Sequence, residues 1–256
     1  MKAMDFWDKL GEMYDDPQIA LWGILSVPYS GILYMVCYPQ PISTFYLFMA
    51  LMTVCWLAAY PKIFKDAASS TPDWNEEPDN AKISLWVIVG LIGLFIVSFI
   101  MALGSNLQFW QTPAFWVPTN LTPLSTIPPT ENNVLWIFTV NMFGTWMAVV
   151  SGEESLKCLF AVLWKAYGRF DWAETIPFAL QPFWLAGVGF WAALHVIAGQ
   201  NPPIFAVNVF ICGILMGEAA AESGSYTTAW LIHALFNSII LVAAFLSGGY
   251  FSILVR

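Results

Sequence analysis

Long apolar runs recur along most of this chain and restrict its fold more than any motif does. A helix crossing the hydrocarbon core of a bilayer needs about 20 mostly apolar residues. Runs of that kind lie at 19–38, 43–60, 83–103, 134–156, 178–199, 203–221 and 226–246. Only 10% of the residues are charged and 59% are apolar, whereas a water-soluble domain carries about 25% charged residues. Such a chain cannot cover itself with a solvated surface, and the excess faces lipid. The expected fold is all-α: a polytopic transmembrane helical bundle of about seven spans. A net charge of −8 excludes nucleic acid as a partner, because that requires a basic face.

The segment ahead of the first run reads differently. Ala3, Phe6, Trp7, Leu10, Met13 and Tyr14 recur at helical spacing, with Asp5, Asp8, Lys9 and Glu12 on the other face. This stretch is too charged for a cleavable signal peptide. It predicts an amphipathic helix along the membrane interface, and its acidic face equally suits contact with a partner protein. A polar loop separates the second and third runs, and a Pro-, Thr- and Asn-rich stretch without Lys or Arg covers 104–133. The division expected is therefore 1–130, the interfacial helix and three spans of unassigned role, and 131–256, a four-helix membrane core.

Basic residues set the expected orientation. Lys2, Lys9, Lys62, Lys65, Lys82, Lys157, Lys165 and Arg169 fall on one side of an alternating count, and only Arg256 on the other. This predicts an integral membrane protein with a cytoplasmic N-terminus. The cysteines Cys37, Cys55, Cys158 and Cys212 lie scattered in apolar segments without a CxxC spacing, the pattern of buried, inert thiols.

Ionisable groups inside spans are costly and point to function. They are Glu153 and Glu154 in SGEESLK, His195 in GFWAALHVIAG, Glu218 in GILMGEAAAESG, and His233 in AWLIHALFNSIIL, where Asn237 follows four residues later. That spacing projects His233 and Asn237 from one helical face. Polar side chains in lipid also join helices by hydrogen bonds, which is the structural alternative for each of them. Grouped in one cavity they would satisfy one another, and convergence of Glu153, His195, His233 and Asn237 is expected. A helix ending near Glu153 would hold it at the membrane face. His195, about 17 residues into its run, would then lie about 25 Å away. A helix over about 143–166 would instead bring Glu153 to mid-depth, with Lys165 snorkelling.

The tail ESGSYTTAWLIHALFNSI resembles the third motif of the CAAX protease and bacteriocin-processing family, also called the Abi family of intramembrane endopeptidases. There a Thr-Gly-Ser turn leads into a helix carrying His-x-x-x-Asn. Here the turn is Ser223-Gly224-Ser225 and the pair is His233 and Asn237. The second motif, an aromatic four residues before a His, matches Trp191 and His195, and the first, Glu-Glu-x-x-x-Arg, maps onto Glu153 and Glu154. Order and approximate spacing agree over 150–240. Cys158 stands at the motif Arg, Lys157 falls one residue early within reach of both glutamates, and Glu222 replaces the basic residue common before the turn.

The resemblance implies hydrolysis of a peptide bond in a membrane-associated or prenylated protein or peptide. It implies that Glu153 with His195 activates water, that His233 and Asn237 form the oxyanion hole, and that Glu154 orients the group. No cofactor is implied; zinc is the alternative, since Glu and His are zinc ligands, although no HExxH occurs. The competing reading is a family-related subunit that has lost catalysis and serves as scaffold or assembly factor among other membrane subunits.

Overall fold

The computed structural model describes residues 79–105, 175–197 and 203–247, together with positions 134, 135, 138, 142, 150, 153, 154, 157 and 160. The described part is helical, with no strand among its residues. Four helices organise it: α1 (Asn80–Ser105), α2 (Pro182–Ile197), α3 (Pro203–Ser223) and α4 (Tyr226–Ser247), with a 3-10 turn at Phe178–Leu180 ahead of α2.

Local chemistry sets the ends of these helices. Asp79 caps α1 by accepting the Ala81 amide at 2.9 Å, which satisfies one of the free donors of the first turn. Pro182 and Pro203 occupy the first positions of α2 and α3, where proline's missing N–H costs nothing and its fixed φ suits the helix. Pro182 also explains why the apolar run 178–199 is not one helix: the chain makes its 3-10 turn first and starts again at the proline. At the end of α3, Gly224 adopts φ 65°. The Gly224 amide reaches the Ala221 carbonyl and the Ser225 amide reaches the Ala220 carbonyl, both at 3.0 Å. This paired closure needs a left-handed residue, which glycine supplies without a Cβ clash. The turn sends α4 straight back along α3.

Helix α3 is the centre of the described bundle, packing on α1, α2 and α4, while α1 also packs on α4. Small residues let the backbones approach, as membrane helices generally require. A Cβ on Gly213 would strike Val188, and one on Gly217 would strike the Trp184 indole. Trp184 is fully buried and donates its Nε1–H to the Gly213 carbonyl at 3.1 Å. Between α1 and α3, the Asn208 amide donates to Ser98 Oγ at 3.2 Å, with buried Cys212 alongside.

Asn80–Met101 and Pro203–Ser223 are long and apolar enough to cross a membrane. Helix α1 buries Val87, Gly90, Leu94 and Ser98 on one stripe, yet exposes Leu85, Ile88, Ile92, Ile96, Phe99 and Leu103 on the other. A helix apolar all round belongs in a core or in lipid.

The expected runs 83–103, 203–221 and 226–246 correspond to α1, α3 and α4 to within three residues at each end. Along the run 134–156 the described positions are helical, apart from a wider turn at Val150, and helix persists at Lys157 and Phe160, past the expected end. The interfacial helix and the runs 19–38 and 43–60 lie outside the described residues, as do 106–133.

Candidate active site

Glu153 and Glu154 are consecutive on a helix, about 100° apart around its axis, so they face different surroundings. Glu154 is fully buried. Its Oε1 accepts Lys157 Nζ at 2.6 Å and His233 Nδ1 at 2.6 Å, and Tyr226 donates its hydroxyl to Oε2. Burying a charge is tolerable only when it is paired and hydrogen-bonded, and this carboxylate is both. Lys157, also fully buried, sits 4.0 Å from the centre of the Trp191 ring, a cation over a π face. Its backbone presses on α2 at Gly187, where a Cβ would come within 3.1 Å of the Lys157 Cα.

Lys157 therefore departs from its place in the orientation count. It belongs to the bundle interior and not to a solvent-facing loop, because its ammonium is the counter-charge of Glu154 one helical turn back. Lys165 and Arg169 lie outside the described residues.

Glu153 points to the more accessible side. Its Oε2 accepts Trp191 Nε1–H at 2.5 Å, and it stands between two imidazoles: His195 Nε2 is 3.7 Å from Oε1 and His233 Nε2 is 3.4 Å from Oε2. The Trp191 ring lies T-shaped to both imidazoles, with centroids 5.2 Å away in each case. Helix α2 supplies Trp191 and His195 one turn apart, and His195 Nδ1–H donates to the Trp191 carbonyl at 2.9 Å. A carbonyl only accepts, so this bond puts the hydrogen on Nδ1 and turns His195 Nε2 toward Glu153. The side chains of His195 and Glu153 are 24% and 21% exposed, against 5% for His233 and none for Glu154. A reactant thus meets Glu153 and His195 first, with the other groups behind them.

The structure brings together Glu153, Glu154, His195 and His233. Asn237 lies one turn beyond His233 on α4, partly buried, and its side chain makes no hydrogen bond to a described residue. Glu218 on α3 is partly buried. Among the described residues no three His, Cys, Asp or Glu side chains are grouped so as to hold a metal ion; Glu153 and the two imidazoles meet at ion-pair distances. Sequence reasoning missed Tyr226 and the donor role of Trp191. The signal for Tyr226 was its place seven residues before His233, two turns along the same face.

No protein-family model matches the chain, and no curated protein or solved structure matches it either.

Proposed function

We propose that this chain is a polytopic helical membrane endopeptidase, with its N-terminus in the cytoplasm, that hydrolyses a peptide bond of a membrane-associated protein or peptide. The observation that supports this most is one carboxylate, Glu153, set between two imidazole nitrogens at 3.7 and 3.4 Å at the accessible edge of a buried charge network. That arrangement suits general acid–base chemistry, which needs a proton acceptor within reach of water and a partner to pass the proton on.

In this reading a water between Glu153 and His195 gives its proton to the Glu153 carboxylate as its oxygen adds to the scissile carbonyl carbon. The carbonyl electrons move onto oxygen, where the Asn237 amide, and His233 as its bare Nε2 takes the proton over from Glu153, stabilise the charge as it develops. When the C–N bond breaks, the same proton passes to the leaving nitrogen, releasing an acid and an amine. Glu154 touches none of the reacting atoms and orients His233. Lys157 takes up the place of the missing motif Arg from the adjacent helical position, by pairing with Glu154.

The test is Glu153→Gln, which preserves shape and removes the proton acceptor. Loss of a general base costs about 10²–10⁴ in rate, so an uncleaved membrane-associated peptide should accumulate in cells carrying the variant. Unchanged peptide processing would overturn the protease reading and leave the structural-subunit reading.

A further inference from the structure

His233 has two nitrogens, and their neighbours decide which carries the hydrogen. Nδ1 lies 2.6 Å from Glu154 Oε1. The same oxygen receives the Lys157 ammonium at 2.6 Å, and Tyr226 donates to the other. With these donors on it Glu154 is an ionised carboxylate, which only accepts hydrogen bonds. The short contact to His233 therefore requires a hydrogen on Nδ1. Nε2 faces a second carboxylate, Glu153 Oε2, at 3.4 Å. Two carboxylates thus compete for one imidazole hydrogen, and the shorter, buried contact holds it.

We infer that Lys157 is a positioning residue: by keeping Glu154 a pure acceptor it fixes the hydrogen of His233 on Nδ1 and leaves Nε2 turned toward Glu153. The inference deepens the protease reading and rests on it only for its consequence, that Nε2 is the nitrogen able to take up and return a proton during turnover. Without Lys157, the buried Glu154 is more stable with a hydrogen of its own. It then donates to Nδ1, and the imidazole hydrogen moves to Nε2, where Glu153 accepts it.

The chain has only two histidines, so the tautomer can be read directly. The experiment is ¹⁵N NMR of histidine-labelled full chain in detergent micelles, at an alkaline pH where free histidine is neutral, with His195→Gln assigning the resonances. The wild type should show His233 protonated at Nδ1 and bare at Nε2. Lys157→Met should reverse this. Should that variant fail to fold, Glu154→Leu/Lys157→Met replaces the whole ion pair by apolar side chains of similar volume, a change that buried pairs commonly tolerate, and it should give the same reversal. A wild-type His233 bare at Nδ1, or one still protonated there in a folded Lys157→Met protein or in the double variant, would overturn the inference. No substrate enters the measurement, so its failure is separate from failure of the protease reading.

Discussion

Trp191 joins more of the site than any other residue. Its N–H holds Glu153, its face carries Lys157, and its ring lies T-shaped to both histidines. Trp191→Phe keeps an aromatic ring and loses the N–H. A hydrogen bond to a charged group contributes about 1.5–3 kcal/mol, so processing of the natural substrate should fall roughly ten- to a hundredfold, measured as the rate of peptide release. An undiminished rate would show that Glu153 needs no such anchor. Glu153, Glu154, His195 and His233 were legible in the sequence because charge inside an apolar run is costly and therefore conspicuous, whereas Lys157 was read as a loop residue. The hydroxyl of Tyr226 was not: aromatic residues are ordinary at membrane interfaces, and residue type alone does not separate a donor from a packing ring. In a chain with 14 Trp and 9 Tyr, Trp191 stood out only through its spacing to His195.

The helices that carry the site depend on close approach along α3. Gly217→Ala would drive a methyl into buried Trp184, and overpacking of this kind costs about 1–3 kcal/mol. Gly93→Ala is the contrasting change, because its methyl would meet only Leu215 Cδ1 at an ordinary 3.4 Å. Alanine is also the better helix former, by about 1 kcal/mol. Thermal unfolding in detergent should therefore show a lower Tm for Gly217→Ala and an unchanged or higher one for Gly93→Ala; equal shifts would contradict the packing described. At this scale apolar run length located α1, α3 and α4 closely, and α1 and α3 are long and apolar enough to cross a membrane. It misjudged the run 178–199, because hydropathy does not register the missing N–H of Pro182. The run 134–156 stops short of the helical positions Lys157 and Phe160, which the longer helix over about 143–166 includes, because Lys157 reads as a loop residue until its buried partner is known.

For the whole molecule, the lipid-facing reading of the apolar runs makes a prediction about sidedness. Single cysteines placed in the segments 66–79 and 112–130, in a background lacking the native cysteines, should label from opposite sides of the membrane, because Lys accumulates only near the first. Labelling of both from one side would change the number of spans. The apolar outer face of α1 should in turn be reached by lipid-soluble labels and not by aqueous ones.

In the proposed mechanism Glu153 and His195 act on one water as a single catalytic unit. Residues that act together lose activity non-additively. The decisive measurement is the rate of peptide release by purified, reconstituted wild type, Glu153→Gln, His195→Gln and the double variant, using the peptide that accumulates in cells carrying Glu153→Gln. Each single change should lower the rate by about 10²–10⁴, and the double variant should be little slower than the worse single. Full multiplication of the two losses, or a Glu153→Gln protein that cleaves at the wild-type rate, would contradict the mechanism.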